Sequence, residues 1–202
     1  MPNPVENNTQ IPAARVTIID KLTEFVSREW YRFFYNIYIA IEGGRRYGSY
    51  YDTTTQTPVA TNTAYEITLN NVVLDSVNAP VQYGVYRGTD TARIYVDNTG
   101  TYNFQFSAQI YNTAAGNKNV TFWADINGVS VPNSATVVTM TGAATEAVVA
   151  AWNFVLKLNR GDYFRLMWAT TNTSVELHYE PATAIAPAVP SVILTVTSIV
   201  GG

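Results

Sequence analysis

Gly100-Thr-Tyr-Asn-Phe-Gln-Phe-Ser-Ala-Gln-Ile110 is the stretch on which the fold turns. Tyr102, Phe104, Phe106, Ala108 and Ile110 alternate without a break against Asn103, Gln105, Ser107 and Gln109. A strand points successive side chains to opposite faces, so this run puts its apolar groups on one face and its amides and hydroxyl on the other. The pattern spreads outward from there. Val120, Phe122, Ala124 and Ile126 share one parity and run into Asn127-Gly128, the strongest short hairpin signal. Trp152, Phe154, Leu156 and Leu158 repeat the alternation, turn at Asn159-Arg160-Gly161-Asp162 and resume at Tyr163-Phe-Arg-Leu166. Short alternating strands separated by turns predict a mainly β, antiparallel sandwich. Strands are expected near 49–57, 65–69, 83–87, 92–96, 102–111, 120–126, 129–131, 135–140, 147–157, 163–169, 174–179 and 191–199.

A chain of 202 residues, 47% of them hydrophobic, has enough apolar surface for a sizeable single core. Only 13% of its residues are Asp, Glu, Lys or Arg, against about 25% in ordinary soluble domains. So few charges coat a free monomer poorly, which points to burial of much of the surface against copies of the chain or a partner. The net charge of −3 leaves no electrostatic footprint for nucleic acid or an anionic membrane. There are no cysteines, which excludes disulfides and thiolate metal sites and fits folding in a reducing cytoplasm. MPNPVENNTQ has neither the basic start nor the apolar run of a signal peptide. The densest apolar window, Phe33 to Ile41, is far short of the roughly 20 residues that span a bilayer, so a soluble protein is expected.

The chain divides into an N-terminal segment, residues 1–46, and a sandwich head, residues 47–202. Residues 1 to about 14 read as an extended arm. Arg15 to Asp20 is a short strand or extended contact, and Thr23 is placed to cap a helix running to about Ile41, stopped by Gly43-Gly44. Val26, Trp30, Phe33, Ile37 and Ala40 form a heptad-like seam in that helix, while Tyr31, Phe34, Tyr35 and Tyr38 lie off it. A helix apolar all round is buried all round, so Val26, Trp30, Tyr31, Phe33, Phe34, Ile37 and Tyr38 are expected to anchor the chain to something larger. Gly43-Gly44-Arg45-Arg46 and Gly48 form the hinge between segment and head. In the last strand, Val192, Leu194 and Val196 take one face while Ile193 and Ile199, beside Thr195 and Thr197, take the other. Apolar residues on both faces imply cover on both faces.

Reaction chemistry is thin. His178 is the one histidine, and Glu176-Leu-His178-Tyr-Glu180 reads as an edge strand with a solvated ring rather than as half of a Ser–His pair. There is no nucleophile elbow, P-loop, dinucleotide fingerprint or His/carboxylate cluster for a metal. Asp97, Asp125, Glu146 and Asp162 are scattered carboxylates with turn and surface roles. Arg160-Gly161-Asp162 reads as a turn, not an adhesion tripeptide. Asp52-Thr-Thr-Thr-Gln56 offers a single carboxylate, too thin for calcium, and reads as strand. No enzyme, metal or cofactor is expected.

GTYNFQFSAQI, NVTFWADINGVSVPNS and FVLKLNRGDYFRLMW together resemble the jelly roll of tumour necrosis factor and of the globular complement heads. The shared marks are the G-x-Y-x-F strand and Leu158, Gly161, Asp162 and Tyr163. More closely, the chain resembles virion proteins of tailed bacteriophages, through Thr23 with Glu29-Trp30-Tyr31-Arg32-Phe33-Phe34 and through Pro190 to Thr197. The resemblance implies an antiparallel jelly-roll head made in the host bacterial cytoplasm and carried on the virion. It also implies a homotrimer whose last strand lies near the three-fold axis, so Ile193, Thr195, Thr197 and Ile199 become the trimer-interface candidates. The role expected is a capsid decoration, cement or head-fibre protein held by its arm and helix to other virion proteins. The alternative is a short tail or neck fibre whose head recognises host-surface glycan, which exposed Tyr and Trp on the head loops would support.

Overall fold

The structure, a computed structural model, describes residues 11–42, 46–73, 84–142 and 144–199. The arm over residues 1–10, the Gly43-Gly44 hinge and the side chain of Ala40 lie outside the described residues. The chain falls into two compact units, Met1–Arg45 and Arg46–Gly202.

The first unit contains α1 (Arg28–Glu42), the one α-helix among the described residues. It starts five residues after the expected cap at Thr23, because the backbone before it is already committed to a small hairpin. Ile19 and Val26 form an antiparallel bridge. Ser27 N–H donates to Ile18 O at 2.8 Å, and Asp20 N–H to Phe25 O at 2.9 Å. Glu24 sits at φ 60, a left-handed conformation that no helix continues through. Ser27 O, not a Thr23 group, accepts the first helical N–H, from Tyr31. Val26 therefore stands in the hairpin and is not a seam residue of the helix.

The second unit is a sandwich of two antiparallel sheets. One sheet runs β10 (Glu146–Leu158), β6 (Gly100–Asn112), β13 (Val192–Ile199), β1 (Tyr47–Asp52) and β3 (Asn71–Val72), with β12 (Val175–Leu177) beside β6. The other runs β4 (Val85–Arg87), β5 (Ile94–Val96), β11 (Tyr163–Thr170), β7 (Lys118–Ile126) and β8 (Val129–Ser130), with β2 (Tyr65–Glu66) on β11 and β9 (Thr136–Met140) on β7. This is the jelly-roll sandwich that the alternating strands predict, with β3 added by a two-residue pairing too short to leave a pattern. Arg46, assigned above to the N-terminal segment, is bonded into the head: its N–H donates to Ser198 Oγ, and Ser198 N–H donates to its carbonyl.

The alternation of β6 is realised residue by residue. Tyr102, Phe104, Phe106, Ala108 and Ile110 are all buried, and Phe104 stacks on Phe164 of the facing sheet with ring centroids 4.1 Å apart. Phe106 meets Phe122, Trp152 and Phe154. Asn127 and Gly128 both take positive φ, 53 and 86, as a two-residue hairpin loop between β7 and β8 demands.

The connections sort to the two ends of the sandwich. Residues 97–99, 127–128 and 159–162 lie at the end where Tyr47 pairs with Thr197, so the first and last strands of the head begin and finish side by side. Residues 113–117 and 171–174 lie at the far end. Lys118, buried there, donates its ammonium to the carbonyls of Ala114, Ala115 and Gly116 and holds that loop closed.

Candidate functional site

Two surfaces collect the residues that the sequence marks for assembly, one on each unit. On α1 the aromatic residues do not encircle the helix. At about 100° per residue, Trp30, Phe33 and Ile37 form a half-buried arc, and Phe34, Tyr38, Tyr31 and Tyr35 continue it as an exposed one. Arg28, Glu29, Arg32 and Asn36 fill the remaining arc, so the helix is amphipathic and the expectation of an all-apolar cylinder is corrected. Trp30 is tied locally: its Nε1–H donates to Val16 O at 2.9 Å, and its ring lies 5.6 Å from those of Phe33 and Phe34. Tyr31 stacks on Tyr35 at 6.2 Å. The hairpin supplies further exposed apolar groups, Leu22, Phe25 and Val26.

The second surface is the outer face of the β10-β6-β13-β1 sheet. Register places its outward side chains in rows: Tyr51, Ile193, Ser107, Ala151; then Ser49, Thr195, Gln105, Asn153; then Tyr47, Thr197, Asn103, Val155; then Ile199, Thr101, Lys157. Ile193, Thr195, Thr197 and Ile199 thus fall on one face, while Val192, Leu194 and Val196 are buried on the other. Ile193 is 37% exposed, Ile199 45% and Val155 55%. Lys157, in the last row, is the only charged side chain in these four rows. The opposite sheet is built differently. Its outer face carries Arg165 bonded to Asp125 at 3.1 Å and to Glu66, and Arg93 paired with Asp90 at 3.0 Å. Both guanidinium groups also lie over the Tyr163 ring. The four rows are therefore poor in charge, while the charges of the opposite sheet are spent on each other.

Beyond these rows, at the far end of the same sheet, there is a cavity of about 310 Å³, lined by Gln109, Ile110, Tyr111, Ala147, His178, Glu180 and Val189. Its wall is the hairpin that follows β12, closed by the Glu180–Val189 bridge. His178 Nδ1 lies 2.7 Å from Glu176 Oε1 and Nε2 lies 3.2 Å from Glu180 Oε2, with the ring 4.9 Å from that of Tyr111. Each ring nitrogen thus has a carboxylate within hydrogen-bond reach, and Glu176 and Glu180 bracket the imidazole. The sequence reading of a solvated His178 missed this clamp. Its signal is the Glu-x-His-x-Glu spacing, which places all three side chains on one side of an extended segment.

The remaining chemistry-bearing residues have structural work. Asp52 is fully buried and accepts from Thr54, Thr68 and Asn70. Asp162 accepts from Asn127 Nδ2 and Asn159 N–H, which hold its carboxyl below the usual range and fasten the 159–162 turn, with Gly161 at φ 88. Glu146 is likewise held low by donors from Thr141 and Gly142. Asp97 pairs with Arg46 and accepts from Asn98. Among the described residues no three His, Cys, Asp or Glu side chains gather as a metal site.

No family model and no curated protein sequence matches the chain. Among solved structures, it is similar to the globular domain of zebrafish complement 1qA protein at 15% identity, covering 77% of this chain and 97% of that one, with a TM-score of 0.44. It is similar also to Eiger TNF from S. frugiperda at 9% identity, covering 79% and 95%, with a TM-score of 0.46. Murine APRIL matches at 11% identity, covering 77% and 99%, with a TM-score of 0.47.

Proposed function

We propose that this protein is a non-catalytic structural protein of a tailed-phage virion, a homotrimer that decorates or cements the capsid or stands on it as a head fibre. The observation that carries the assembly reading is the near-absence of charge across the β10-β6-β13-β1 face, set against the self-paired charges of the opposite sheet. Uncharged faces with exposed Ile and Val are aggregation hazards unless covered. The four rows span about 500 Å² in projection, at roughly 3.3 Å per residue and 4.8 Å between strands. Corrugation and the further residues of β6 and β10 bring this toward the roughly 800 Å² per partner of a stable interface.

The exposed arc of Phe34, Tyr38, Tyr31 and Tyr35 supports the second half of the proposal, in which α1 and its hairpin dock on another virion protein. The virion assignment itself rests on the phage-like motifs around Trp30 and Pro190. The rival, recognition of host glycan, drew on Tyr and Trp at the head's loops. Of the far-end loops, Thr-Ala-Ala-Gly-Asn over 113–117 and Thr-Asn-Thr-Ser over 171–174 carry no aromatic residue, while the connection after β12 carries Tyr179. Counting and locating the protein on purified particles tests the proposal. Hundreds of copies on the capsid are expected, and a dozen or fewer trimers at the tail would overturn the decoration role in favour of a fibre.

A further inference from the structure

The 180–189 hairpin, within the connection from β12 to β13, holds a side chain that the head leaves in water and stands beside a cavity that the head leaves open. Ile185 is 96% exposed. It is not on a loose loop. Glu180 and Val189 exchange backbone hydrogen bonds of 3.0 and 2.8 Å at the base. Thr183 N–H donates to Ala186 O at 2.9 Å, and Thr183 Oγ1 accepts from Ala186 N–H at 3.1 Å. Pro181 and Pro187 stiffen the arms, and no glycine or charged residue occurs from 181 to 189. An apolar knob is therefore presented with most of its ordering cost already met by folding. The cavity at the hairpin's foot has apolar walls in Ala147, Val189 and the Tyr111 ring, with Gln109, His178 and Glu180 at its polar side, and room for more than one isoleucine side chain. Ile185 does not fill it, since it remains exposed at the tip of the hairpin that walls the cavity.

We propose that Ile185 of each copy inserts into the Ala147–Tyr111–Val189 cavity of the next copy around the three-fold axis. A knob and a hole at different places on one chain make a heterologous contact, which closes into a ring when the rotation fits. The occupant is a second copy of this chain because the cavity lies on the same outer sheet face as the charge-poor rows around Ile193, two residues further along β6 and β10, and because the hairpin from 181 to 189 carries no charge of its own. The proposal rests on the self-association reading given above and assigns the contact that sets its geometry.

The chain has no cysteine, so every disulfide in an engineered variant is informative. The full-length Ala147→Cys/Ile185→Cys variant, oxidised under mild conditions, is expected to give covalent dimers and trimers on a non-reducing gel that collapse on reduction. Neither single variant is expected to crosslink. Ala147→Cys alone is expected to resist a bulky maleimide in the assembled protein. Ile185→Ala is expected to weaken the assembly at least tenfold in sedimentation, with Ile185→Leu close to the parent. A parent chain that sediments as a trimer while the double variant closes only within one chain, or fails to crosslink, overturns the knob-in-hole contact and leaves self-association standing. So does an Ala147→Cys label that reacts freely in that trimer, or an Ile185→Ala variant as tightly assembled as the parent. A parent chain that is monomeric throughout overturns both.

Discussion

Ile193→Asp is the perturbation that presses hardest on the assembly reading. Ile193 sits in mid-sheet between Tyr51 and Ser107, and 37% of it is exposed in the isolated head. Complete burial of an isoleucine side chain is worth about 1.5–3 kcal/mol, so covering the exposed third contributes roughly 0.5–1 kcal/mol per copy and about 2–3 kcal/mol per trimer. The substitution removes that term and places three carboxylates around one axis. At the ~10 Å spacing of packed sheets and an effective dielectric constant of about 20, each pair repels by about 1.7 kcal/mol, or some 5 kcal/mol in all. Desolvation adds several kcal/mol for each carboxylate driven into the interface. Even without desolvation the sum is about 7 kcal/mol, which is roughly five powers of ten in the trimer association constant. The fold itself loses little, because the side chain points away from the core and strand-position preferences span only about 1 kcal/mol. Sedimentation velocity with circular dichroism is the assay, and folded monomer at micromolar concentration is the expected result. Thr195→Asp should behave alike, while Lys157→Asp, in the last row, should leave trimers intact. Folded trimers of both strand variants would refute the reasoning and move the contact off this face.

Further outcomes follow from the same geometry. Removing residues 1–45, and keeping Arg46 with its bonds to Ser198, should leave a folded head that no longer joins particles; an aggregating product would place the helix in the head's core. Tyr31→Ala with Phe34→Ala should reduce particle occupancy at least tenfold while leaving the thermal transition of the free protein unmoved, and full occupancy would count against docking through α1. Trp30→Ala with Phe33→Ala should also lose docking but lower the helical signal, because Trp30 is bonded to Val16. Phe104→Ala, which deletes a fully buried ring stacked at 4.1 Å, should cost about 3–5 kcal/mol and lower the midpoint by roughly 10 °C in calorimetry. Asp162 has its carboxyl pKa lowered by Asn127 and Asn159, so its stabilisation is present at neutral pH and fades as pH falls below the unfolded-state value near 4. Asp162→Asn should therefore flatten the acid limb of a midpoint-versus-pH curve, and an unchanged slope would show that the turn does not depend on that charge.

What could be read from the sequence, and what could not, divides along a physical line. β6, β7, β10 and β13 were legible because each has one buried face, and burial at period two leaves a pattern that no other element writes. The Asn127-Gly128 turn was legible because it needs two positive φ values and few residue pairs supply them. The outward parity of Ile193 and Ile199 followed from the same alternation. The start of α1 was not legible: Thr23 is a good cap in isolation, but the Ile19–Val26 bridge claims the backbone first, and pairing between segments seven residues apart leaves no periodic trace. The polar arc of Arg28, Arg32, Glu29 and Asn36 is written in the sequence, because steps of about 100° gather these four on one side of the helix. The Glu-x-His-x-Glu spacing does record the His178 clamp, whereas the cavity arises from β6, β10 and the 180–189 hairpin, which meet only in three dimensions, so spacing holds no record of it.

The pairing of Tyr47 with Thr197 has a consequence for how the head can be used. The two chain ends of the sandwich leave through one pole, a strand's width apart, while the loops 113–117 and 171–174 occupy the other. A peptide inserted after Gly116 would stand on the outer pole, clear of the uncharged sheet and of α1's point of attachment, with Lys118 bracing its base. A peptide appended beyond the last strand would instead leave from the pole where Tyr47 pairs with Thr197. Joining the neighbouring ends with a short linker and reopening the chain at 171–174 would keep every strand pairing and carry the tether to the opposite pole.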